Sequence, residues 1–124
     1  MMTQRFRQRR VGWGVALVFL LIVGGGLWLA AASPHTLTVK TKNYRFAQAE
    51  IRVQAGEMVT MRLENRDAAA HAFDIDEFNV HIPMPAQEEL TFTFTPTQPG
   101  TYTFYCGLLG HRGGGMVGTL IVES

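Results

Sequence analysis

Cysteine is the scarcest chemistry in this chain: Cys106 stands alone among 124 residues, so no intrachain disulfide can form. The length excludes two sizeable domains. Net positive charge is missing from most of the sequence. Arg5, Arg7, Arg9 and Arg10 crowd the N-terminus, and from His35 onward seven basic residues face ten acidic ones, a net of −3. A mildly acidic folded part argues against nucleic acid as a partner. After Pro34 no run carries the 3.6-residue apolar period of an amphipathic helix.

Charge and proline are both absent from Val11 to Ala32, a run of 22 residues. A helix of that length is about 33 Å long, enough for a hydrocarbon core of about 30 Å. The arginines before it predict an N-terminus in the cytoplasm and the remainder outside. We therefore read residues 1–10 as a basic cytoplasmic n-region and residues 11–32 as a single-pass transmembrane anchor or signal segment. Its length favours a retained anchor; cleavage after Ala30-Ala31-Ala32 and export is the alternative.

What is there, from His35 to Ser124, is alternation. Leu37, Val39 and Thr41 alternate with polar positions, as do Ile51 and Val53. The same pattern runs through Val59, Met61 and Leu63, through Leu90, Phe92 and Phe94, through Tyr102, Phe104 and Cys106, and through Leu120 and Val122. Period two predicts strands with one buried face. Turn signals separate them at Gln54-Ala55-Gly56-Glu57, Asn65-Arg66-Asp67, Pro96 to Gly100 and Gly113-Gly114-Gly115. Many short strands at this spacing predict an all-β sandwich or barrel.

The lone cysteine then gains a context. Cys106, His111 and Met116 follow one another at intervals of five, in a stretch rich in glycine, and His71 lies 35 residues upstream of Cys106 beside a strand-like run. One thiolate, two imidazoles and one thioether form the ligand set of a mononuclear blue-copper site: three strong ligands in a plane and a weak axial methionine. Taken singly, each residue reads as core or surface; taken together, they point to a metal. A structural zinc site rarely uses methionine. A nucleophilic Cys–His pair would need an orienting Asp or Asn, which Gly107-Leu108-Leu109-Gly110 does not offer.

The segment Thr101-Tyr102-Thr103-Phe104-Tyr105-Cys106-Gly107-Leu108-Leu109-Gly110-His111, with Met116 and Gly118 after it, resembles the copper loop of the cupredoxins. Its Cys-x4-His-x4-Met spacing is similar to the rusticyanin type. Asn65 followed by His71-Ala72-Phe73 is similar to the family's first-histidine motif. The chain also resembles the copper domain of cytochrome oxidase subunit II, but with Cys106 alone it lacks the second cysteine of that binuclear site. The resemblance implies a Greek-key β-sandwich over 35–124 holding one copper ion through His71, Cys106, His111 and Met116. It also implies one-electron transfer between redox proteins of cytochrome or oxidase type, at the periplasmic or extracellular face of the membrane. The expected protein is a carrier and not an enzyme, with no small-molecule substrate. Copper delivery or storage, and an accessory domain of a respiratory oxidase, are the alternatives. His81 reads as a polar strand-end residue, Met84 as a second thioether with a weaker claim than Met116, and Leu108 and Leu109 as either loop packing or an apolar docking patch beside His111.

Overall fold

A computed structural model describes residues 35–124, and the expected n-region and anchor, 1–32, lie outside the described residues. Among the described residues no helix is long and apolar enough to cross a membrane. Eight strands fill the segment: β1 His35–Thr41, β2 Glu50–Gln54, β3 Val59–Asn65, β4 His71–Ile75, β5 Val80–Met84, β6 Glu89–Phe94, β7 Gly100–Tyr105 and β8 Val117–Glu123. A single 3-10 turn, Asp76–Phe78, interrupts them between β4 and β5.

The strands sort into two sheets. One has the order β1-β3-β6, the other β2-β8-β7-β4-β5. The alternation predicts which faces meet. Val59, Met61 and Leu63 of β3 are buried while Arg62 between them is exposed. Phe73 and Ile75 of β4, Phe104 of β7, and Leu120 and Val122 of β8 meet them from the second sheet, and all belong to one continuous core. Phe46, Phe73 and Phe104 form an aromatic centre with ring centroids 5.1–5.9 Å apart. Gly118 of β8 is fixed by that packing: a Cβ there would lie 2.0 Å from the Phe104 ring.

β5 shows how context overrides a local signal. Pro83 cannot donate to a ladder, yet β5 sits at the edge of its sheet, where a missing donor is tolerated. β6 is likewise an edge strand, so its apolar positions Leu90, Phe92 and Phe94 are only half-buried although they alternate cleanly. The two strands that matter most for the site, β4 and β7, are joined through a single ladder pair, Asp74 with Tyr105.

Candidate metal centre

Cys106 follows directly on β7, and Met116 directly precedes β8. The Cys106 N–H donates to the Met116 carbonyl at 3.0 Å, extending the β7–β8 ladder by one rung and closing the loop between them. Inside the loop, His111 N–H bonds to Leu108 O, Gly114 N–H to Gly110 O and Met116 N–H to His111 O, at 2.9–3.1 Å. The chain is thereby wound back so that His111 faces the cysteine. Gly115 has φ +95° and lies against Arg45, whose Nη1 donates to its carbonyl at 3.0 Å, so a side chain there would meet both strain and the guanidinium.

His71 enters from the other side, as the first residue of β4. Its Nδ1 lies 3.3 Å from His111 Nδ1, and Cys106 Sγ lies 3.3 Å from the same atom. The three ligand atoms all fall within 4.8 Å of one another, with His71 and Cys106 buried and His111 partly exposed. Met116 is fully buried, bonded through its backbone to both Cys106 and His111. Met84 is buried too, opposite His71 in the β4–β5 ladder. All four expected ligand residues are thus brought to one end of the five-stranded sheet.

The surroundings fit a metal. The side chain of His71 is 0% exposed, and its Nε2 lies 2.7 Å from Asp67 Oδ2. That contact assigns the proton to Nε2 and leaves the Nδ1 lone pair facing the cluster, as in carboxylate–histidine–metal arrangements. Metal–nitrogen and metal–sulfur bonds of about 2.0–2.3 Å would separate neighbouring ligand atoms by roughly 3.5 Å, close to the two 3.3 Å contacts that meet at His111 Nδ1. The Ala72 N–H points at Cys106 Sγ from 3.3 Å, a backbone donor that helps hold the sulfur in place.

The Asn65-Arg66-Asp67 turn, read from sequence as a break between strands, also supports the site. Asn65 accepts from Thr41 Oγ1 and Asp67 N–H and donates to the carbonyls of Ala69, Met84 and Pro85. Asp67 accepts from the Asn43 and Tyr44 amides as well as bonding to His71. Both therefore brace His71, and neither bonds directly to the 106–116 loop. The tie to that loop comes from Asp74, whose Oδ2 accepts the Gly107 N–H at 2.8 Å while its Oδ1 lies 3.2 Å from His81 Nδ1. His81 is exposed at the surface of β5 and His35 lies 3.5 Å from Glu57, so neither joins the cluster.

A family model described as a cupredoxin-like domain matches residues 14–122. The chain belongs to the cupredoxin-like family. A plastocyanin of Prochlorothrix hollandica is 30% identical over 119 residues, covering 86% of this chain and 89% of that protein. Plastocyanin A'/A'' of Nicotiana tabacum is 36% identical over 90 residues, covering 63% of this chain and 87% of that protein. The solved structure of reduced auracyanin from the photosynthetic bacterium Roseiflexus castenholzii superposes with a TM-score of 0.66 over 74% of this chain and 99% of that one; at 22% identity this shows the fold. As a cupredoxin the chain has one copper ion as its cofactor, and the two imidazoles and one thiolate suit that ion.

Proposed function

We propose that this cupredoxin carries single electrons between redox proteins outside the cytoplasmic membrane, with copper held by the Cys106 thiolate, the Nδ1 atoms of His71 and His111, and the Met116 thioether in the axial position. The observation that carries the reading is the convergence of two imidazole Nδ1 atoms and one cysteine sulfur, the closest contacts being 3.3 Å, in a chain with no other cysteine. Copper bound there supplies a one-electron couple between Cu(I) and Cu(II). The protein's part is to hold the ligands still. β4 and β7 fix His71 and Cys106, the Ala72 amide donates to the sulfur, and Asp67 fixes the tautomer of His71.

Where electrons enter is suggested by exposure. His111 is the partly exposed ligand, and beside it Leu109 is 100% and Leu108 40% exposed. Apolar side chains held out in water next to a ligand suit brief contact with a redox protein of cytochrome or oxidase type. Residues 11–32 would tether the domain to the membrane with the copper site outside.

The test is the visible spectrum of the full chain loaded with Cu(II), beside Cys106→Ser, followed by voltammetry. An intense thiolate-to-copper band lost in the variant, with a reversible one-electron wave, is the expected result. Colourless copper binding, or no binding, would overturn the reading.

A further inference from the structure

Asp67 is the least expected part of the site. It is no ligand, yet three segments meet on its carboxylate. Oδ2 lies 2.7 Å from His71 Nε2 and accepts the Tyr44 N–H at 3.1 Å, while Oδ1 accepts the Asn43 N–H at 2.7 Å. Its one ion-pair partner among the described residues is His71, because the neighbouring Arg66 turns to Glu64. The contact is dry: the side chains of His71 and Asp67 are 0% and 10% exposed.

The two amides it holds belong to a strained turn. Asn43 and Tyr44 have φ of +55° and +58°, the left-handed region that non-glycine residues seldom occupy in succession. Reciprocal backbone bonds between Lys42 and Arg45 close the turn. It sets the Tyr44 ring edge-on against both imidazoles, with centroids 5.2 Å from His71 and 5.0 Å from His111.

We propose that Asp67 is a positioning residue that also sets the reduction potential of the copper site: its carboxylate on Nε2 strengthens His71 as a donor and lowers the potential. The inference rests on the copper reading above. A full negative charge one imidazole away from the metal favours the more highly charged Cu(II).

Asp67→Asn removes the charge and keeps an oxygen for hydrogen bonding. The ratio of Cu(I) to Cu(II) affinity should rise about tenfold, the lower end for loss of a residue behind a metal ligand. That is about 59 mV for one electron, read by voltammetry on the full copper-loaded chain. The variant also loosens the Asn43–Tyr44 turn, so Asn43→Gly is added to it, since glycine takes positive φ freely. A potential that stays raised in the double variant supports the inference. A potential unchanged in Asp67→Asn, or returned to the wild-type value by Asn43→Gly, overturns it and leaves the copper reading intact. A wild-type chain without a thiolate-to-copper band overturns the copper reading and the inference with it. Should Asp67→Asn fail to fold, nitrogen NMR of the metal-free wild type decides: a His71 proton on Nε2 supports the inference, and one on Nδ1 overturns it.

Discussion

Glu64 is a buried carboxylate that the sheet can hold only because cations surround it. It is 5% exposed on β3, bonded to Arg66, with Lys40 Nζ at 3.7 Å and Arg62 Nε at 3.6 Å. The Arg66 hydrogen bond lowers its pKa from 4.5, and burial, which acts the other way, does not cancel that. A lowered folded-state value means that Glu64 contributes stability above the unfolded value and loses it as pH falls through the folded one. Metal-free protein should therefore lose stability below pH 4.5, and Glu64→Gln should be less stable at neutral pH with a flatter acid limb. Urea denaturation across pH 2–7 (about that span) measures both, and parallel acid limbs would show that the pairing contributes nothing. Ala72 and Gly107 make a complementary point: their backbone amides, not their side chains, reach Cys106 Sγ and Asp74, so no inspection of residue type at 72 or 107 would reveal them.

Asn65 joins elements in the same way that Glu64 joins charges. Its amide links the end of β3 to the end of β1 through Thr41, to residue 69 ahead of β4, and to Met84 and Pro85 at the end of β5. Asn65→Ala leaves buried carbonyls without donors, at a cost of about 3 kcal/mol. It should also reduce copper affinity, because β4 would no longer start from a fixed point. Thermal melting with a chelator titration checks both; lower stability with unchanged affinity would confine Asn65 to the fold. The strands that Asn65 connects differ in how plainly the sequence announces them. β3 is legible because Val59, Met61 and Leu63 face the opposite sheet while Arg62 faces water. β5 is concealed by Pro83, tolerated there only through its edge position. The site divides similarly. Cys106, His111 and Met116 are rare residue types within one loop, and His71 follows from the family's motif. Asp67 and Tyr44 are not legible: their role depends on contacts spanning 23 and 24 residues, through an Asn-Tyr turn that lacks the glycine marking such turns.

Across the whole molecule, the metal would sit where the larger sheet is weakest. β7 and β8 share six ladder pairs and β4 and β5 five, but β4 and β7 share one. The seam between them is closed instead by the Ala72 amide on Cys106 Sγ and by Asp74 on the Gly107 amide, both at the end that carries the ligands. Copper bonded to His71 on β4 and to Cys106 at the end of β7 would therefore act as a cross-link over that seam. Binding to the folded state alone adds RT ln(1 + [L]/Kd), about 2.7 kcal/mol at a hundredfold excess over Kd. For a domain of this size that corresponds to a rise in Tm of about 10–20 °C. Calorimetry of the full chain with and without Cu(II) should show the rise, a strong chelator should abolish it, and Cys106→Ser should largely lose it. The location of the gain is testable as well. Amide exchange should slow chiefly along β4 and β7 when copper binds, while the β1-β3-β6 sheet, which carries no ligand, changes little. Equal protection of both sheets would mean that the metal stabilises the fold globally and that the seam opens only when the whole domain unfolds.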